Sequence, residues 1–333
     1  MIISNVSEVR KLYADALQKG WVLPCICTEN LTTTEAILSA THEFGIEKGI
    51  KHVPIIIAIT CNYDHRAQAQ NYTHTRDYKT GLKLFVNDVK ALADDGCIFE
   101  DVNVMLHLDH IQFDNDAQLL ESDLSEYSSI MFDASTLAFD ENIRLTKEFV
   151  AQNKSKILIE GACDEIVDAT GTEHNDLTTP KNAQKFARET GVDLIVANLG
   201  TEHRATGKEL KYHGDVARAI KAEIGTRIVL HGTSSVSNNQ VYNLFEDGIC
   251  KVNIWTALER DSSPILFENM TRNASKVAGP QVVQRLIDEG YLTEKCLTGD
   301  NPSIANFTTV SRQEIVFQEM KRMVKAYLNM WYK

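Results

Sequence analysis

Residues 194–203 read Leu-Ile-Val-Ala-Asn-Leu-Gly-Thr-Glu-His. The run is apolar without strict alternation, the pattern of a strand buried on both faces, and it ends on polar residues and a histidine. The stretch before it, Thr178–Thr190, opens with Thr-Thr-Pro and closes before Gly191. Proline suits a first helical turn and glycine a helix end, so this stretch predicts a helix. The same unit repeats outward in both directions. Strands are predicted at Trp21–Ile26, Val53–Thr60, Val102–Leu108, Ser129–Asp133, Lys156–Glu160, Leu194–Leu199, Ile228–Leu230 and Ile249–Ile254. Helices are predicted at Thr33–Lys48, at Asp140–Asn153 with Ile143, Leu145, Phe149 and Val150 on its apolar side, and at Asn238–Glu246 before Asp247-Gly248. Eight such strands, most followed by a helix, specify an α/β fold of the (β/α)8 TIM-barrel type. An open doubly wound sheet is the alternative, and it lacks its G-x-G-x-x-G after the first strand. No repeat or low-complexity linker divides the chain. The expectation is therefore one barrel domain over 1–333, with a helical C-terminal extension over 262–333 packed on the barrel or on a partner subunit.

The chain has 333 residues, with Lys+Arg 34 against Asp+Glu 46 and a formal net charge of −12. That balance argues against a protein held to nucleic acid or to an anionic membrane by a basic surface. It leaves room for a small anionic substrate in a local basic pocket. No run approaches the ~18 apolar residues of a membrane span. The N-terminal residues interleave acidic and basic side chains and resemble neither a secretory signal nor a transit peptide, so a cytoplasmic protein is expected. Seven cysteines at irregular spacing, with no C-x-x-C pair, read as reduced and mostly buried thiols.

Histidines mark three strand ends: His107-Leu-Asp-His110, Gly200-Thr-Glu-His203 and Leu230-His231-Gly232. In a barrel the C-terminal strand ends converge on one face, where active sites sit. His110, His203 and His231 are thus candidates to meet around one cation, and three protein ligands with an open position is the form of a catalytic zinc site.

Five segments in order resemble the class II, zinc-dependent ketose-bisphosphate aldolases. They are VMLHLDH (104–110), SSIMFDAS (128–135), LTTPKNAQKFARETGVDLIVANLGTEH (177–203), IVLHGTSSV (228–236) and GICKVNIWTAL (248–258). The resemblance runs from about Val9 to Glu259. It implies one Zn2+ per subunit on His110, His203 and His231, and Asp109 as the acid/base that exchanges a proton with the C4 hydroxyl. It implies Gly232, Ser234 and Thr256 at a phosphate and Asn253 at the ene-diolate or its precursor. Zinc on the ketone and hydroxyl oxygens would spread the charge of the breaking C–C bond into an ene-diolate. The implied substrate is a phosphorylated ketose, and the implied assembly a homodimer or homotetramer.

The departures from the family pattern are as informative. Arg204 stands where the family has Gly after its second ligand histidine. Ala162 replaces a Glu tied to an additional metal position, Cys27 an Asn of the first strand, and Trp255 an Asp. The mobile-loop Glu has no clean counterpart; Asp168 and Glu173 are candidates for a second acid/base. The segment 61–76 is an insertion rising from a strand end on the active-site face, with Tyr63, His65, Arg66, Tyr72, His74 and Arg76 and no aliphatic residue larger than Ala. Arg66 and Arg76, with Arg204, are candidates for a rebuilt substrate pocket, since a guanidinium grips an oxyanion at two points. His107 reads as structural. The expected function is metal-dependent aldol cleavage or formation by a lyase with an altered substrate. The alternatives are a catalytically silent sugar-phosphate-binding paralogue and a zinc-dependent epimerase.

Overall fold

The computed structural model describes residues 1–167 and 177–333. Eight parallel strands close into a barrel in chain order: β1 (Leu23–Cys27), β2 (Val53–Thr60), β3 (Val102–Gln112), β4 (Ser129–Asp133), β5 (Leu158–Ala162), β6 (Leu194–Val196), β7 (Ile228–Leu230) and β8 (Ile249–Ile254). All but one of their residues are buried, which is why the strands carry no apolar/polar alternation. β2, β4, β7 and β8 fall where the sequence places them. β6 is shorter than expected, because the chain leaves the sheet after Val196, and β5 starts two residues later than its predicted Lys156. β3 runs on to Gln112 through an irregularity that matters for the site.

Local chemistry sets the helix limits. The Asn30 side chain accepts from the Thr33 N–H at 2.9 Å and opens the helix Leu31–Lys48. Thr179 caps Pro180–Thr190 in the same way, and Gly191 ends it at φ 73°. Two expectations need correction. Asn238–Glu246 is not an α-helix: it is a short 3-10 turn, Asn238–Val241, followed by turns. Position 262 is not a boundary, because the helix after β8 runs Thr256–Arg272 straight through it. An unpredicted helix, Val6–Gln18, buries Val9, Tyr13 and Ala16 ahead of β1. The last helix, Thr309–Trp331, packs on Leu31–Lys48 and Thr256–Arg272. Beyond it the Tyr332 ring stacks on Trp21 at 4.5 Å, and its hydroxyl donates to the Pro54 carbonyl at 2.6 Å. Among the described residues no helix is long and apolar enough to cross a membrane.

The 61–76 insertion folds over the mouth of the barrel. Gln68 crosses back to β2, exchanging hydrogen bonds of 3.0 Å with the backbone N–H and hydroxyl of Thr60. Its helical turn Gln68–Asn71 sits on the helix Tyr78–Ala93 at Gly81, where a Cβ would lie 1.8 Å from the Ala69 carbonyl oxygen. Gly81→Ala gains about 1 kcal/mol of helix propensity, but it forces a backbone displacement of the insertion. The expected net result is destabilisation of about 1–3 kcal/mol, in the range of overpacked sites. Denaturant unfolding measures it; a variant more stable than the parent would show that this contact is not tight.

Candidate active site

Consecutive strand residues point to opposite faces, so Asp109 and His110 should not share a site. They do share one, because the β3–β4 register shifts between Leu108 and Ile111 and His110 takes a left-handed backbone, φ 48°. A bulge of this kind re-aims a side chain, at a conformational cost that a non-glycine residue bears only when its surroundings hold it. Asp133, at the end of β4, does the holding: its carboxylate accepts from His110 Nδ1 at 2.8 Å. It also accepts from Gln112 Nε2 at 3.1 Å and from the Ser135 N–H at 3.0 Å. Burial alone would raise the Asp133 carboxyl, but the hydrogen bonds from His110 and Ser135 and the His110 charge bring it down to about 2.

The other two histidines come from the loops after β6 and β7, and cross-ties fix those loops to each other. Thr201 donates to the His231 carbonyl at 2.6 Å, and the Glu202 N–H donates to Ser235 Oγ at 3.1 Å. Arg260 donates to the carbonyls of Ala205 at 2.8 Å and Ser234 at 2.9 Å. Gly232, at φ 67°, crosses so close that a Cβ would lie 2.7–2.8 Å from the Glu202 backbone. This packing accounts for the glycine with or without a ligand. Arg204 keeps the left-handed backbone that a glycine would take there, φ 51°.

The result is one cluster. Ligand atoms of His110, His203 and His231 all lie within 4.8 Å of one another, and His110 Nε2 is 3.1 Å from His231 Nδ1. Burial, with the cationic neighbours adding to it, pushes the His231 imidazole well below its usual value despite Asp109. Three imidazoles, one of them held by a carboxylate on its outer nitrogen, are a donor set suited to a borderline-soft divalent ion such as zinc.

Asp109 lies beside the cluster. Asn253 Nδ2 donates to its Oδ1 at 2.9 Å, and the Cys27 thiol donates to its Oδ2 at 3.4 Å. Beneath it in the barrel, Lys251 pairs with Glu160 at 2.6 Å and lies 3.2 Å from His107 Nε2; His107 also meets Ser129 at 2.8 Å and Asp109 at 3.6 Å. Burial works to raise the Asp109 carboxyl, but the charge of His110 and the contact with His107 hold it well below the usual carboxylate range. His107 thus lies against the carboxylate from inside the barrel.

The cleft above these groups has about 540 Å³ of empty space, part of it open to solvent, and is lined by Gly232, Ser234, Asn253 and Thr256 as well as the histidines. Of the insertion, Tyr63, His65, Arg66 and Gln68 reach it, and Arg204 lines it beside them, donating to the His65 carbonyl at 2.7 Å. Arg66 lies over the Trp255 ring at 4.8 Å, with Nε donating to Glu29 at 2.9 Å. Arg76 does not join the cleft: it is exposed and its guanidinium turns to Asn71. Asp168 and Glu173 lie outside the described residues. Sequence reasoning missed Glu29, Tyr63 as a neighbour of the histidines, and Asp133 as the support of His110; for Asp133 the signal was present, an acidic residue closing a predicted strand.

Comparison with known proteins agrees with this architecture. The crystal structure of fructose-bisphosphate aldolase from Campylobacter jejuni superposes with a TM-score of 0.75 at 17% identity, covering 99% of this chain and 95% of that one. The YdjI aldolase from Escherichia coli K12 gives 0.66 at 19% identity, covering 99% and 97%. A putative fructose-1,6-bisphosphate aldolase from Coccidioides immitis gives 0.67 at 20%, covering 98% and 96%. At these identities the likeness establishes the fold. The sequence family described as fructose-bisphosphate aldolase class-II matches residues 7–329, and with nearly the whole length matched, the chain belongs to that family.

Proposed function

We propose that this protein is a metal-dependent aldolase that cleaves or forms a C–C bond of a phosphorylated ketose. The carrying observation is the set of three converging imidazoles with the Asp109 carboxylate beside them at the C-terminal mouth of the barrel. His110, His203 and His231 would hold zinc, which would supply Lewis-acid stabilisation of the negative charge that develops as the C–C bond breaks. The chain's own groups do the rest. Asp109, kept ionised, takes the proton of the hydroxyl next to the scissile bond and returns it in the reverse direction. Asn253 and Cys27 hold that carboxylate in one orientation, so the lone pair used in proton transfer is set before substrate arrives.

The phosphate end is assigned to the turn after β7 and the helix after β8. Ser234 offers a hydroxyl, and the helix Thr256–Arg272 begins behind Trp255, whose side chain does not cap it. Its first-turn N–H groups and dipole favour an anion, and loops after the seventh and eighth strands are where barrels commonly bind phosphate. Arg66 and Arg204 add cationic walls. Trp255 replaces a carboxylate of the family pattern and gives Arg66 an aromatic face to rest on.

Arg66→Ala is expected to raise KM about 10- to 150-fold, the equivalent of a charge-assisted contact of about 1.5–3 kcal/mol. Arg76→Ala is expected to stay within about twofold of the parent, because its guanidinium is directed at Asn71. Steady-state kinetics on both variants checks this. Equal effects in the two would remove Arg66 from the substrate pocket.

A further inference from the structure

Tyr63 enters from the insertion and touches two of the three histidines at once. Its ring stacks on the His110 imidazole with centroids 4.4 Å apart and planes 4° from parallel. Its hydroxyl oxygen lies 3.2 Å from His203 Nδ1. Tyr63 and His110 line both the active-site cleft and a neighbouring cavity with Gln112, Asp133 and Glu165. We infer that Tyr63 is a positioning residue for the metal centre, through which the 61–76 insertion sets the strength of metal binding. This rests on the reading that His110, His203 and His231 hold the metal.

The argument follows from the chemistry of imidazole. A neutral ring that ligates through one nitrogen carries its proton on the other, and the partner of that N–H fixes both tautomer and ring orientation. His110 has Asp133 for this purpose. For His203 the Tyr63 oxygen stands at Nδ1, where its hydrogen bond fixes that edge of the ring. The parallel stack restrains the same ring that Asp133 holds by its edge, so His110 can neither tilt nor swing toward the cleft. The backbone behind Tyr63 is itself tied down. The Asn62 N–H donates to Asp116 at 3.0 Å, Gln68 is hydrogen-bonded to Thr60, and the His65 carbonyl accepts from Arg204, the residue after His203. A loop anchored at these points presents Tyr63 as a fixed wall.

The test is zinc affinity of the full-length protein, measured by competition with a chromophoric chelator, for the parent, Tyr63→Phe and Tyr63→Leu. Tyr63→Phe keeps the stack and loses the hydroxyl, and zinc binding is expected to weaken about 10-fold. Tyr63→Leu loses both and is expected to approach 100-fold, the upper end for outer partners of a metal-bound histidine. Zinc Kd values within twofold of the parent in both variants would overturn the inference. So would unchanged zinc affinity with a large fall in kcat in Tyr63→Phe, which would make the hydroxyl a group that acts on substrate. A parent protein that binds no zinc would instead refute the metal reading on which this rests, and the two failures are told apart by the parent measurement alone.

Discussion

His231→Ala is expected to leave the protein folded, without stoichiometric zinc and without aldol activity. The ring sits on a loop tied at both sides by Thr201 and Ser235, so the loop keeps its backbone partners when the side chain is lost. What disappears is the nitrogen that faces His110 at 3.1 Å. Two imidazoles then remain, and a site with two protein ligands falls below the three that catalytic zinc sites use. Since bound zinc stabilises the folded state that holds it, the variant should also lose the stabilisation that added zinc gives the parent. Metal analysis after dialysis, paired with unfolding with and without zinc, reads both effects. Full zinc occupancy in His231→Ala and in His203→Ala would displace the metal from this cluster.

Asp109→Asn carries the second large effect: kcat lower by roughly 10²–10⁴-fold, the usual range for a general acid/base, with zinc still bound. The amide is the same size and can keep one hydrogen bond, from Asn253 or Cys27, so the cleft should hold its shape. It cannot take a proton from a hydroxyl. Metal content separates this outcome from a different role. If Asp109→Asn loses zinc and regains activity in excess zinc, Asp109 supports the metal rather than the proton transfer.

Much of the barrel was legible because its strands need only be apolar and bounded. β2 and β8 are continuous buried runs, and they match the sequence reading at both ends. The failures arise where tertiary geometry overrides pattern. The apolar residues Ala197 and Leu199 predict a β6 that runs to Leu199, yet only Leu194–Val196 stay in the sheet. The 238–246 stretch has helical spacing, but it is used as a 3-10 turn and loops beneath Trp331, whose indole N–H donates to the Val241 carbonyl at 2.9 Å.

The site divides in the same way. Three histidines at strand ends were enough to anticipate the cluster. The bulge that brings His110 beside Asp109 was not legible, since plain strand alternation predicts the opposite. Within the insertion the sequence offered Arg66 and Arg76 on equal terms. Only the fold distinguishes them: the Thr60–Gln68 contacts hold Arg66 over the cleft, and the loop then turns outward before Arg76. Cys27 was read as a departure from a family asparagine; the structure shows what the exchange leaves, a thiol donating to Asp109 from the end of β1.

The measurement that bears most directly on the central claim is product analysis of a panel of ketose mono- and bisphosphates, incubated with the protein before and after chelation and after zinc is returned. The account predicts that at least one is cleaved to an aldehyde and a three-carbon ketone fragment, that chelation stops cleavage, and that zinc restores it. A zinc-loaded protein that leaves every C–C bond in the panel intact, or that only inverts a hydroxyl, would contradict it.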